Sequence, residues 1–116
     1  MTDIQQVRKG STQLLILSVL TQGPLYGYAI MRELETRSQG YFHMNAALLY
    51  PALHQMEQDG LVHAIWEEGK GRRRRKVYSI TPDGQNRLAH GQSEWRRFFV
   101  QLCGVIGKPA ETRSES

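Results

Sequence analysis

A helix with both ends marked, followed within a dozen residues by a run of cations, leaves this chain few folds to choose from. Asn45 can offer a side-chain oxygen to the unpaired N–H groups of a first helical turn. Gly60 supplies the left-handed residue at which helices commonly stop. Between them Leu49, Ala52, Leu53 and Met56 recur at i, i+3, i+4 and i+7, so one face belongs to a core. The opposite face carries Ala47, Leu48, Tyr50, Pro51, His54 and Gln58. None of these is a carboxylate, which suits a surface that meets an anion. Residues 61–66 and 77–80 are rich in side chains that fit a pleated sheet and read as paired strands. Residues 67–72 read as a flexible tip, in which Gly69 and Gly71 can take positive φ.

Charge singles out the same hairpin. The chain has 15 Lys plus Arg against 11 Asp plus Glu, a net charge of +4. Residues 70–76 hold six of those cations and no anion, which leaves nine cations against eleven anions elsewhere. The basic character is therefore local, an electrostatic footprint for a polyanion rather than a solubility charge. At 116 residues the chain forms one domain with a small core, a size at which oligomers often add stability.

Three further helices are expected. The first is capped by Ser11 or Thr12, and its Leu14, Leu15, Ile16, Leu17, Val19 and Leu20 make it apolar nearly all round. Gln22, Gly23 and Pro24 stop it. The second runs from about Tyr26 to Arg37, with Ile30 and Leu34 inward, and Gly40 closes it. The last begins at a hydroxyl cap, Thr81, with Pro82 at the first helical position and Asp83 in the first turn. It continues to about Cys103. Leu88, Trp95 and Leu102 lie seven apart, and Phe98 follows Trp95 by three, an a/d pattern suited to a two-fold seam. Gly91 falls on the same pattern, where it permits a close approach. The alternative is a helix lying on its own core.

The fold expected is mainly α with a small β-hairpin, a winged helix-turn-helix over residues 1–81. A dimerisation helix follows over 82–106 and a disordered tail over 107–116. The polar N-terminus and the lack of any membrane-spanning run of about 20 apolar residues make the cytoplasm the expected location. Catalysis has no support. There is no phosphate-cradling glycine loop, no Ser-His-Asp set and no paired-histidine zinc motif. His43, His54, His63 and His90 are scattered without ligand spacing, so neither a metal nor a cofactor is expected. Cys103, the one cysteine, reads as a small apolar residue near the seam.

The residues resemble the PadR-family transcriptional regulators, in the short form with a single C-terminal helix. The matching runs are residues 10–17, 23–30, 49–54, 56–62, 73–78 and 80–84. Most specific are Gly27-Tyr28, the run from Leu49 to Leu53, and the spacing of Tyr78, Thr81 and Gly84 behind the arginines. Two positions depart from the family pattern. Leu48 stands where a Thr or Ser is usual, which removes a hydroxyl, and Val77 stands where an aromatic is frequent. The resemblance implies a homodimeric repressor of transcription that responds to a small molecule.

On the residues themselves, Asn45, Ala47, Leu48, Tyr50 and His54 form the candidate DNA-reading face, with Asn45 serving first as a cap. Lys70, Arg72, Arg73, Arg74, Arg75 and Lys76 form the candidate phosphate-binding wing. Strand alternation gives Arg73 and Arg75, or Arg72 and Arg74, the larger share. Lys70 and Lys76 act as point charges in phosphate range. Leu88, Trp95, Phe98, Phe99 and Leu102 are the candidate dimer and effector residues. The expected partners are a palindromic duplex operator, a second copy of the chain and a planar aromatic effector, with no membrane. A ligand-sensing or protein-interaction module with weak DNA binding is the other reading open at this point, and Leu48 favours it.

Overall fold

The computed structural model describes residues 4–69 and 74–108, with side chains from residue 10 onward. Lys70, Arg72 and Arg73, and the tail beyond Lys108, lie outside the described residues. The order of elements is α1 (Ile4–Leu20), β1 (Leu25–Tyr26), α2 (Gly27–Arg37), α3 (Ala46–Gln58), β2 (Val62–Glu68), β3 (Arg74–Ile80) and α4 (Pro82–Ile106).

The first helix begins earlier than its hydroxyls suggest. It is already wound at Ile4, so Ser11 and Thr12 are interior positions rather than caps. Its apolar girth is used as expected: Ile16, Leu17, Val19 and Leu20 are all buried. They pack with Ile30 and Leu34 of α2 and with Leu49, Leu53 and Met56 of α3, and Val62, Tyr78 and Leu88 close the same core.

The ends of α3 follow the local chemistry. The Leu48 amide donates to Asn45 Oδ1 at 2.9 Å, which satisfies one donor of the first turn. At the other end Gly60 takes φ 77°. The Leu61 amide then reaches back to the Met56 carbonyl at 2.9 Å, turning the chain straight into β2.

Among the described residues the sheet has three strands, not two. β1 is only Leu25 and Tyr26, and it joins the free edge of β3, giving the order β1-β3-β2. Two residues are too few to show the alternation that marks a strand, so the sequence alone carries no sign of it. The hairpin stem is also longer than expected, since β2 and β3 stay in register as far as Glu68 opposite Arg74. Glu67 and Glu68 thus belong to a strand rather than to the tip.

α4 docks through glycine. Its Thr81 hydroxyl accepts from the Gly84 amide at 2.9 Å and donates to the Gly60 carbonyl at 2.6 Å. A methyl group on Gly84 would sit 2.2 Å from the Leu61 carbonyl oxygen, so only glycine lets this turn lie on the α3–β2 connection. Gly91 gives a close approach too, but to the same chain's α1: a methyl there would lie 2.4 Å from a Leu14 methyl carbon. Leu88 is 8 % exposed and belongs to the core. The first half of α4 therefore lies on its own domain, and the expected stripe reaches solvent only from Trp95.

Candidate nucleic-acid interface

The face of α3 opposite Leu49, Leu53 and Met56 is turned to solvent over its whole length. Ala47, Leu48, Tyr50, Pro51, His54 and Gln58 are all exposed. Leu48 is 49 % exposed, a branched apolar group in the first turn of the helix. His54 Nε2 lies 3.2 Å from the Gln58 amide nitrogen, one turn along the same face. Asn45 has its side-chain oxygen committed to the cap, as its spacing predicts.

The hairpin stands beside this face and divides its cations by strand alternation. Arg74, Lys76, Tyr78 and Ile80 share one side of β3, and Arg75 and Val77 share the other. Lys76, expected as a point charge in phosphate range, has partners within the protein. Its ammonium lies 3.3 Å from Glu57 of α3 and 5.6 Å from the centre of the Trp66 ring, so it ties the wing to the helix. Arg74 also lies over Trp66, with its Cζ 5.1 Å from the ring centre. Arg75, on the reverse side, lies over Tyr26 of β1 at 4.9 Å. The Tyr26 hydroxyl donates to Glu67, the residue opposite Arg75. That bond holds the proton on the phenol and raises the Tyr26 pKa above 10.0, with Arg75 pulling the other way.

These groups enclose a cleft of about 450 Å³ whose lining combines Tyr26, Tyr28, Tyr50, Trp66 and Tyr78 with Arg74, Arg75 and Lys76. Tyr50 of α3 and Arg75 of β3 both line it. Tyr50 reaches its place because Gly27, at the start of α2, has no side chain: a methyl there would lie 2.4 Å from the Tyr50 hydroxyl. The ring rests on that glycine yet stays 43 % exposed. Tyr78 closes the floor. Burial raises its pKa above 10.0, and Tyr50 and Glu57 add to the rise.

Cations backed by aromatic rings, beside a helix face without carboxylates, are suited to a nucleic-acid backbone. The ring supports the face of a guanidinium and leaves its in-plane N–H groups to bond phosphate oxygens. Four contributors escaped the sequence reading: Tyr26, Tyr28, Trp66 and Glu57. The nearest signal was the pair of tyrosines flanking Gly27. What places them is the edge strand β1, which carries no periodicity of its own.

The remaining candidates lie at the far end of α4. Trp95, Phe98, Phe99 and Leu102 are exposed, with Val105 and Ile106 beyond them. At 100° per residue all six fall on the face that Leu88 and Gly91 turn towards the domain. Trp95 and Phe98 meet edge to face, their ring centres 5.5 Å apart. Cys103 is half-buried. Among the described residues no cluster of three or more His, Cys, Asp or Glu side chains could hold a metal ion. No described helix is long and apolar enough to cross a membrane.

Comparison with known proteins places the chain among regulators. Residues 16–90 match the family described as transcriptional regulator PadR-like. A transcriptional regulator of Mycobacterium tuberculosis is 31 % identical over 110 residues, 94 % of this chain and 95 % of that protein. Some other curated relatives are longer, and the match spans 39 % of one and 22 % of another. Among solved structures, a transcriptional regulator of Clostridium thermocellum superposes with a TM-score of 0.80 at 26 % identity, covering 87 % of this chain and 98 % of that one. A PadR family transcriptional regulator of Eggerthella lenta superposes with a TM-score of 0.71 at 32 % identity, covering 95 % and 90 %.

Proposed function

The chain belongs to the PadR-like family of DNA-binding transcriptional regulators, and from that premise we propose that it is a homodimeric repressor of a palindromic operator, released by a planar aromatic effector. One observation carries the DNA-binding part. The recognition helix and the wing strand line a single cleft, where Arg74 and Arg75 stand beside Tyr50. The exposed face of α3 enters the major groove, with Ala47, Leu48, Tyr50 and His54 towards the bases and their flanking phosphates. Asn45 holds the helix start, whose N–H groups favour a phosphate nearby. Arg74 and Arg75, with Lys70, Arg72 and Arg73 of the tip, follow the backbone of the adjoining groove. Lys76 spans wing and helix and fixes their spacing.

The exposed apolar face of α4 supports the dimer. Trp95, Phe98, Phe99 and Leu102 continue a stripe whose first half is already buried, and a second copy related by a two-fold axis covers the rest. Residues 82–106 then act as the dimerisation helix, anchored on the domain by Leu88 and Gly91. In that arrangement the two Trp95 rings lie near the axis, where a flat ligand can stack. A ligand that prefers one spacing of the two wings shifts the population away from the DNA-competent form. Such a protein carries out no reaction of its own and works in the cytoplasm.

The test is the salt dependence of duplex binding. Each phosphate contact contributes about 0.9 to the slope of log affinity against log salt. Changing Arg74 and Arg75 to alanine removes four cations per dimer, so the slope becomes shallower by about 2 units if Glu68 keeps Arg74 and by up to about 3–4 units if Arg74 exchanges Glu68 for a phosphate. An unchanged slope would place the DNA surface elsewhere.

A further inference from the structure

Arg74 and Arg75 are neighbours on one strand, and each faces a glutamate across the hairpin, Glu68 and Glu67. The two pairs end differently. Arg74 Nε approaches Glu68 Oε2 at 3.9 Å. Glu67 instead accepts a hydrogen bond of 2.5 Å from the Tyr26 hydroxyl. The Arg75 guanidinium lies on the ring of that same tyrosine, 4.9 Å from its centre, and makes no ion pair among the described residues. Side chains in register across a hairpin lie close enough for a glutamate and an arginine to meet. What separates this pair from its neighbour is the phenol.

From this contrast we propose that Tyr26 is a positioning residue for DNA binding: its hydroxyl holds Glu67 and its ring holds Arg75, so the carboxylate stays off the guanidinium and Arg75 remains available to a phosphate. The proposal rests on the wing being a DNA surface. A carboxylate on Arg75 would cancel the charge that a phosphate otherwise neutralises, and with it the release of a counterion. Contact with a neutral phenol has no such effect, because it leaves the positive charge of the guanidinium uncancelled. A hydroxyl on β1 thus sets the charge state of a wing that follows it by about fifty residues.

Tyr26→Phe, Glu67→Gln and the double variant separate the roles. Phenylalanine keeps the ring under Arg75 and removes only the hydroxyl, which frees Glu67 to turn onto the guanidinium. The probe is a labelled duplex of random sequence, since phosphate contacts are independent of sequence, followed by anisotropy through a salt titration. Tyr26→Phe should make the slope shallower by about 0.9 for each protomer engaged and weaken binding at about 0.1 M salt by about eightfold per protomer. Glu67→Gln alone should bind at least as tightly as the parent. The decisive result is the double variant, in which neutralising Glu67 should restore both the affinity and the slope lost in Tyr26→Phe. In an Arg75→Ala background, Tyr26→Phe should have no further effect. Unchanged binding by Tyr26→Phe overturns the proposal, and so does a loss that persists in the double variant. If the parent protein binds the duplex with no dependence on salt, the wing is not the DNA surface, and that separate failure removes the proposal with its premise.

Discussion

Replacing Gly27 with alanine puts a methyl group where the Tyr50 ring now rests. The added carbon would lie 2.4 Å from the hydroxyl oxygen and 2.8 Å from Cε1 and Cζ. Ordinary contact needs about 3.5 Å, so one partner has to move by about 1 Å. The backbone cannot yield easily, because Gly27 is buried at the start of α2. The ring can, since it is 43 % exposed and only its far end is in conflict. Moving it off its rotamer costs about 0.5–1.5 kcal/mol. Alanine recovers up to about 1 kcal/mol over glycine in a helix, less at a first position. Stability should therefore change by less than about 1 kcal/mol, a melting shift of no more than about 4–8 °C. DNA binding should respond differently. A displaced phenol loses a neutral hydrogen bond to the duplex, worth about 0.5–1.5 kcal/mol net, or about two- to tenfold in affinity for each protomer. Anisotropy and thermal melting on one preparation read the two effects apart. Wild-type affinity in a well-folded Gly27→Ala protein would refute the reasoning, because it would mean that the phenol is not at the contact. A fall in melting temperature well beyond that range would show that the ring is not the part that yields.

Leu102→Glu should move the protein from dimer to monomer in sedimentation at micromolar concentration. An unpaired carboxylate buried in an apolar seam costs several kcal/mol, and a stable dimer of that variant would misplace the interface. With Trp66→Phe as background, planar aromatic compounds should quench the Trp95 indole saturably, and Trp95→Ala should abolish their binding without dissolving the dimer. Binding of the same compounds to the Trp95→Ala dimer would leave that ring with packing alone. Tyr26 and Tyr78 both hold their protons above the usual 10.0, through the bond to Glu67 and through burial respectively. The folded chain therefore binds those protons more tightly than the unfolded chain, so their contribution is complete below pH 10 and is lost as pH rises through their folded values. Melting temperatures should fall above pH 10, less steeply in a Tyr78→Phe protein, and a flat profile would contradict the assigned causes.

Local chemistry alone determined much of this protein. Asn45 and Gly60 bound α3, the spacing of Leu49, Leu53 and Met56 chooses its buried face, and Thr81 and Pro82 start α4. Each of these signals depends on residues within one or two turns of chain, where spacing and geometry are the same thing. The exposed face of α3 follows directly, because a helix with one side buried has the other side assigned.

Only the tertiary structure decided how the cations are used. In sequence the arginines and Lys76 form one uniform run, and pairing across the hairpin makes them unlike. Lys76 is tied to Glu57, Arg74 stands near Glu68, and Arg75 is held on a tyrosine. The same holds for α4, whose single heptad stripe is divided into a buried half and an exposed half by where α1 happens to lie. β1 escaped notice because two residues have no period, and it is the element that brings Tyr26 to the wing. Glu57 and Lys76 are nineteen residues apart, and Tyr26 and Glu67 forty-one. Contacts at such separations are set by how whole elements pack, and no local pattern of residues encodes them.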